Sequence, residues 1–219
     1  MTKRLLSMAV AAVAATSAVP ALAEFELSAY TGYQTAPHSV VEGNDPGGVG
    51  KFDFTAGWEG KSSAMPPYYG FRGTWWRSDT LGYGVEFNHA KVYSDDGTRR
   101  DNGFETLEFT DGLNILTANV MRRFPSESRS WTPYAGGGLG VSIPHVEVTT
   151  SGGKTFNYQL AGPAVTWVAG VKYPLTDTWS VFGEYKGTYS MNKVDLDNGG
   201  DLETNIVTNA LNVGVSFSF

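Results

Sequence analysis

No cysteine occurs among the 219 residues, which excludes a disulfide framework and a thiolate metal site. Beyond residue 23 no stretch comes near the ~18–20 continuous apolar residues that a membrane-spanning helix requires. Positive charge is in deficit: 16 Lys and Arg stand against 22 Asp and Glu, a net charge of −6, and that balance argues against a nucleic-acid partner. Histidine is scarce, with three in the whole chain. What the chain has in quantity is glycine and aromatic residues, 27 Gly, 12 Phe, 11 Tyr and 6 Trp.

The first 23 residues read as a secretory signal. Lys3 and Arg4 precede a small and apolar stretch from Leu5 to Val19, and Ala21-Leu22-Ala23 forms an A-x-A cleavage site before Glu24. At the other end, Leu211–Phe219 reads L-N-V-G-V-S-F-S-F, apolar residues alternating with small or polar ones. A strand with one greasy and one polar face suits a wall between lipid and a polar interior. A terminal aromatic on such a strand resembles the signal that outer-membrane barrels present to their insertion machinery. The expected division is a signal peptide at 1–23 and one barrel domain at 24–219, located in the cell outer membrane.

Turn residues divide the domain into alternating segments near 24–36, 68–77, 81–93, 112–124, 132–148, 157–173, 178–190 and 205–219. Ser78–Thr80, Pro125–Ser130 and Pro174–Asp177 are tight connections. The stretches 37–67, 94–111, 149–156 and 191–204 are long and rich in Gly, Asp and Asn. Short periplasmic turns and long external loops are the pattern of an outer-membrane barrel. Segment 51–60 also alternates, but a chain that starts on the periplasmic side and reaches a periplasmic turn at Ser78 allows only an odd number of passages before it. The segment is therefore an external excursion of the first long loop, continuing the second strand above the membrane. The fold class is all-β, an eight-stranded antiparallel transmembrane up-and-down barrel, with ten strands as the alternative count.

Alternation then assigns faces. Leu211, Val213, Val215, Phe217 and Phe219 point to lipid, as do Trp179, Val181, Tyr185 and Tyr189, and Tyr83, Val85 and Phe87. Trp75, Phe124, Trp131, Tyr173, Trp179 and Phe219 cluster by the tight turns, where an aromatic girdle belongs. Inside fall Tyr30, Arg72, Glu86, Glu184 and Lys186. A barrel this small is filled by its own side chains, so these opposite charges are expected to neutralise one another as an ionic plug.

The three histidines, His38, His89 and His145, all lie near external strand ends. Following the face of Val85 and Phe87, His89 and Lys91 point outward; following Leu139, Val141 and Ile143, so do His145 and Glu147, unless a bulge at Pro144 flips them. Strand four runs between. If Leu116, Ala118 and Val120 face lipid, Asn114 lies at the same height between the histidines; the opposite phase, with Leu113, Ile115 and Thr117 outward, stays open. The favoured phase gathers His89, Asn114, His145 and Glu147 into an outward polar patch, and polar groups on a lipid-facing surface are costly unless something binds them. The acidic loop residues (Asp95, Asp96, Asp101, Glu105, Glu108 and Asp111; Asp195, Asp197, Asp201 and Glu203) fit no calcium-loop spacing. Gly136-Gly137-Gly138-x-Gly140 lies in a strand pattern with no helix after it and reads as close wall packing.

Several segments resemble a family of alphaproteobacterial outer-membrane barrels known as lipid A oxidases: T-A-P-H-S (35–39), F-T-A-G-W-E-G (54–60), P-P-Y-Y-G-F-R-G-T-W-W (66–76), G-V-E-F-N-H-A-K-V-Y (84–93), L-E-F-T-D-G-L-N (107–114), T-P-Y-A-G-G-G-L-G-V (132–141), P-H-V-E-V (144–148) and D-L-E-T-N-I-V-T-N-A-L (201–211). The resemblance implies an oxygen-dependent oxidoreductase that converts the proximal glucosamine of lipid A to 2-aminogluconate with peroxide as co-product. It implies lipopolysaccharide as partner, molecular oxygen as co-substrate and a divalent metal ion as candidate cofactor. On the patch, His89 and His145 would hold the metal with Glu147 or a loop carboxylate, and His38 would complete the set. Lys91 would hold a lipid A phosphate and Asn114 would orient the sugar. Two other classes stand beside this one: a non-catalytic structural or adhesin-type barrel, and a lipid A deacylase. A deacylase needs a Ser-His-carboxylate array, and the H-x-S strand pattern of such enzymes is absent.

Overall fold

The computed structural model describes residues 24–219; the expected signal segment at 1–23 lies outside the described residues. In chain order the elements are β1 (Glu24–Thr35), β2 (Ser39–Asp45), β3 (Gly50–Ala56), β4 (Trp58–Glu59), β5 (Tyr69–Trp76), β6 (Leu81–Ser94), α1 (Asp96–Asn102), β7 (Thr106–Arg123), β8 (Thr132–Thr150), β9 (Gly153–Tyr158), β10 (Gly162–Pro174), β11 (Trp179–Asp195) and β12 (Asp201–Ser218). Eight of the twelve strands close a ring, β1-β5-β6-β7-β8-β10-β11-β12, with β12 pairing back onto β1. All pairings are antiparallel. Closure leaves no open edge in the wall, which is the condition for strands to cross hydrocarbon.

The four remaining strands stand at the end away from the tight turns. The β2–β3 hairpin adds to the upper part of β12, β4 to the top of β6, and β9 to the top of β8. Segment 51–60 is thus external, as its parity requires. Trp58 and Glu59 do continue the line of β5 above the membrane, while 50–56 folds back on β2 instead. The long stretches read as loops are largely strand: β11 runs on to Asp195 and β12 begins at Asp201. Their alternation is interrupted by Asn, Asp and Gly, so composition concealed the pairing that neighbouring strands impose.

The wall follows the period-two pattern. Leu139, Leu211 and Val213 are exposed on the outside, while Ser142, Ala210 and Asn212 are buried. All six girdle aromatics are exposed near the tight turns. The glycine run on β8 is close packing: a Cβ on Gly140 would stand 1.9 Å from the Leu116 carbonyl oxygen of β7.

Inside, Arg72 donates to both oxygens of Glu86 at 3.1 Å and of Glu184 at 2.9 and 3.0 Å. Lys186 donates to Glu86 and Thr166 at 2.8 Å. Tyr30 bonds Glu86, Tyr134 bonds Glu184, and Asn119 and Asn212 donate one bond to each carboxylate. Two cations neutralise two anions with their oxygens filled, so the lumen is blocked at mid-height.

Above the membrane the interior turns apolar. Val41, Val92, Val146, Leu202 and Ile206 are fully buried, and Phe52, Phe54 and Phe104 pack with ring centroids 5.4–5.9 Å apart. Buried Asp45 joins three hairpin tips: it accepts from Thr150 Oγ1 at 2.6 Å, from Val49 N at 3.1 Å and from Asn198. Burial pushes its carboxyl up, but bonds from Thr150, Val49, Asn198 and Gly48 outweigh that and hold it below the ordinary aspartate value. A depressed native pKa means this stabilisation is present above the ordinary value of about 3.9 and is lost as pH falls below it. Acidification is therefore expected to open the β2–β3 tip to protease while the barrel stays folded, and Asp45→Ala should give the same cleavage at neutral pH. Protection of the tip in Asp45→Ala would show that the joint is held elsewhere.

Candidate functional site

β7 carries an irregularity that shapes the outer wall. Between the Glu108–Glu147 and Leu113–Pro144 pairs, four residues of β7 (109–112) oppose two of β8, His145 and Val146. On its other side, 110–112 oppose Lys91 alone. The two extra residues form a bulge ending at Gly112, whose φ of +100° suits glycine. The sequence left open a bulge at Pro144 that would flip His145 and Glu147; the bulge lies on β7 instead, and β8 keeps its register, so both remain on the outward face. β7 adopts the favoured phase, with Leu116 and Val120 exposed and Asn114 outward beside His89.

Below the bulge, Asn114 and His89 are cross-strand partners, and His89 Nδ1 lies 2.8 Å from Asn114 Oδ1. The Asn114 amide donates from Nδ2 to the Asp111 carbonyl at 3.4 Å, which turns Oδ1 toward the imidazole. The network therefore assigns a proton to Nδ1. Tyr69 stacks on the ring at 5.0 Å. A Cβ on Gly112 would stand 2.3 Å from His89 Cε1 and Nδ1, so only glycine lets the bulge close over the imidazole.

Across the bulge, His145 packs against Phe156 and Tyr158 at 4.4 and 4.5 Å. Its Nδ1 is 3.8 Å from Asp111 Oδ2. Both imidazoles are almost fully buried, and His89 Nε2 and His145 Nδ1 have no hydrogen-bond partner. Glu147 accepts from Lys154 at 2.9 Å and contacts Thr110 Oγ1 at 2.8 Å. The structure thus gathers His89, Asn114, His145 and Glu147 around one feature.

Two assignments are corrected. Lys91 has no exposed surface and donates to the Thr110 carbonyl, so it props the bulge from beneath and does not reach a phosphate. The bulge's extra residues cover it. Lys154, half exposed and stacked over Phe156 at 4.6 Å, is the accessible cation beside the patch. His38 does not join the other histidines: it lies by Gly57 and Asp95, beyond the top of β6. The strand from His89 to Ser94 alone spans roughly 16 Å. Among the described residues no three of His, Cys, Asp and Glu converge as metal ligands. The patch holds two imidazoles, and the three-histidine set does not form. The acidic loop residues form no cation site either; Asp95 instead caps α1, accepting from Thr98 N at 2.6 Å. Ser39 is engaged by Trp58 and Thr204, not by His38, so the adjacent pair makes no nucleophile.

Tyr69, Thr110, Asp111, Gly112 and Lys154 belong to the site and were not read from sequence as parts of it. Asp111-Gly112 within an otherwise alternating run was the available sign, since such a pair marks a turn or bulge.

A closed eight-stranded ring, a filled lumen and an apolar outer belt define a small outer-membrane β-barrel. Residues 6–219 match the outer membrane protein beta-barrel domain model, and the chain belongs to that family. It is an outer-membrane protein. The fold is similar to that of Neisserial surface protein A (14% identity, 89% of this chain and 97% of that chain, TM-score 0.50) and of the outer membrane protein OprG from Pseudomonas aeruginosa (8% identity, 90% and 96%, TM-score 0.50). A search of curated proteins returns no match.

Proposed function

We propose that the barrel is a lipid A oxidase that converts the proximal glucosamine to 2-aminogluconate with molecular oxygen. The observation that carries this reading is the outward cluster at the β7 bulge: two buried imidazoles with free nitrogens, on a surface where unused polar groups are costly. The site faces the layer where lipopolysaccharide resides. Lys154 would receive an anionic group of the lipid, and Tyr69, Phe156 and Tyr158 would flank sugar or acyl chain. His89 would serve as the acid–base group for the anomeric hydroxyl, reached once the side chains that cover the ring are displaced by the bound lipid, with Asn114 holding the ring in place. The anomeric C–H then leaves with its electron pair to oxygen, giving a lactone and hydrogen peroxide, and water opens the lactone to the acid. A metal ion taking part would have His89 and His145 as its candidate ligands among the described residues. The aromatic end at Phe219 is the feature offered to the barrel insertion machinery.

The test is mass spectrometry of lipid A from a host that lacks the activity, with and without the protein. A new species heavier by one oxygen on the proximal sugar is expected. His89→Ala should lower conversion by about 10²-fold or more, the usual loss when an acid–base group is removed, and His145→Ala should also impair it. Full activity in both variants would sink the site assignment. An unchanged lipid A spectrum with a folded barrel and oxygen present would favour the second reading, a non-catalytic surface barrel. The blocked lumen and the packed external hairpins suit that reading.

A further inference from the structure

Arginines without an acid partner gather on one sector of the wall, at the end opposite the histidines. Among the described residues Arg72, Arg99 and Arg123 each pair with a carboxylate, while Arg77, Arg100, Arg122 and Arg129 pair with none. All of the unpaired ones but Arg100 stand by the tight turns. The outward residues at the end of β7 run Val120, Arg122, Phe124, and all are exposed, so Arg122 lies within the aromatic girdle and not beyond it. Arg122 is the cross-strand partner of Leu81, and the Leu81 carbonyl accepts from Arg77 N at 2.9 Å. One outward row thus reads Arg77, Leu81, Arg122, directly below the row Trp75, Tyr83, Val120. The two arginines are two strand spacings apart, roughly 10 Å. Beside them Arg129 stands over the Trp131 ring at 4.6 Å and donates to the Phe124 carbonyl at 3.2 Å. The nearby acids, Asp79 and Glu127, lie in the turns and pair with none of the three. A cation on a lipid-facing wall is costly in hydrocarbon, and girdle depth is where lipid phosphates stand.

We propose that Arg77 and Arg122 seat one glycerophospholipid carrying two phosphates, a diphosphatidylglycerol, in the periplasmic leaflet. Each guanidinium takes one phosphodiester, its planar fork matching two phosphate oxygens as an ammonium does not. Leu81, between the two cations, lies under the glycerol bridge. Two rows further into the membrane, Gly73 and Ala118 flank Val85, and the shallow channels they leave on either side of it receive acyl chains. A lipid with a single phosphate engages only one of the arginines. The seat lies at the other end of the barrel from Lys154 and the histidines, and it does not rest on the lipid A reading.

Native mass spectrometry of the folded barrel, released from micelles with added lipid, tests the seat. The probes are diphosphatidylglycerol and, at twice its mole fraction to equalise phosphate, phosphatidylglycerol. The wild type is expected to retain one diphosphatidylglycerol in preference to phosphatidylglycerol. Arg77→Gln combined with Arg122→Gln should weaken that retention by about thirtyfold, the worth of two arginines at an anionic lipid surface. Arg77→Lys with Arg122→Lys keeps the charge without the fork and should recover part of it; this pair serves if the glutamine variant folds poorly. Arg100→Gln, at the exposed arginine of α1 above the opposite leaflet, should change nothing. Undiminished retention in the double glutamine variant overturns the seat. Equal retention of the two lipids overturns the two-phosphate assignment, and a matching loss in Arg100→Gln reduces the effect to overall charge and overturns the site as well.

Discussion

Arg72→Met is expected to weaken the folded barrel by about 3–5 kcal/mol, the range for breaking a buried ion pair by removing one partner. Arg72 is the shared cation of Glu86 and Glu184, and all three are nearly fully buried. Without it, Glu184 keeps only the neutral donors Tyr134 and Asn212, and Glu86 keeps Lys186. Denaturant unfolding of the refolded barrel measures the loss as a shifted midpoint. Adding Glu184→Gln should restore part of it, because it removes the charge that Arg72 no longer balances; the difference between double and single variants reports the coupling. A midpoint equal to that of the wild type in Arg72→Met would mean that the charges are solvated through the lumen and form no plug.

On the lipid A reading proposed above, Gly112→Ala should cut turnover about 10²-fold or more while sparing the barrel. At φ +100° the added methyl carries backbone strain of roughly 1–3 kcal/mol, and it would enter the His89 ring at 2.3 Å. The imidazole must swing away from Asn114. Displacement of a reacting group by about 1 Å is worth roughly 10²-fold in rate, so lipid A conversion should fall at least that far. A second readout is independent of activity. Nitrogen NMR of the His89 side chain should show Nδ1 protonated in the wild type, and that signature should be lost in Gly112→Ala and in Asn114→Leu. If the signature survives in both, the bulge does not set the tautomer.

The wall was legible because its physics is local. Strict alternation over Leu211–Phe219, tight turns at Ser78–Thr80 and Pro174–Asp177, and aromatics beside those turns each follow from one strand meeting lipid on one side. Parity of crossings then separated 51–60 from the ring. The ionic filling was legible for the same reason: once alternation sends Arg72, Glu86, Glu184 and Lys186 inward, a narrow barrel leaves them only one another. The site was legible in part. The face of His89, Asn114, His145 and Glu147 came from counting residues in twos.

Counting in twos fails where a strand holds more residues than its neighbours, and the site sits at such a place. The two residues added to β7 bury Lys91 beneath Thr110 and aim Asp111 at His145. Their position depends on what β6 and β8 present opposite, and no stretch of β7 alone encodes it. His38 fell away from the other histidines because the β2–β3 hairpin docks on β12 and leaves it by Asp95, a long-range choice between sheet edges. The sequence alone determined the membrane-facing wall, the strands of the ring and the contents of the lumen, since these depend on period and solvent. The tertiary structure decided the bulge, the roof of hairpins and the membership of the site, since these depend on register between strands far apart in the chain.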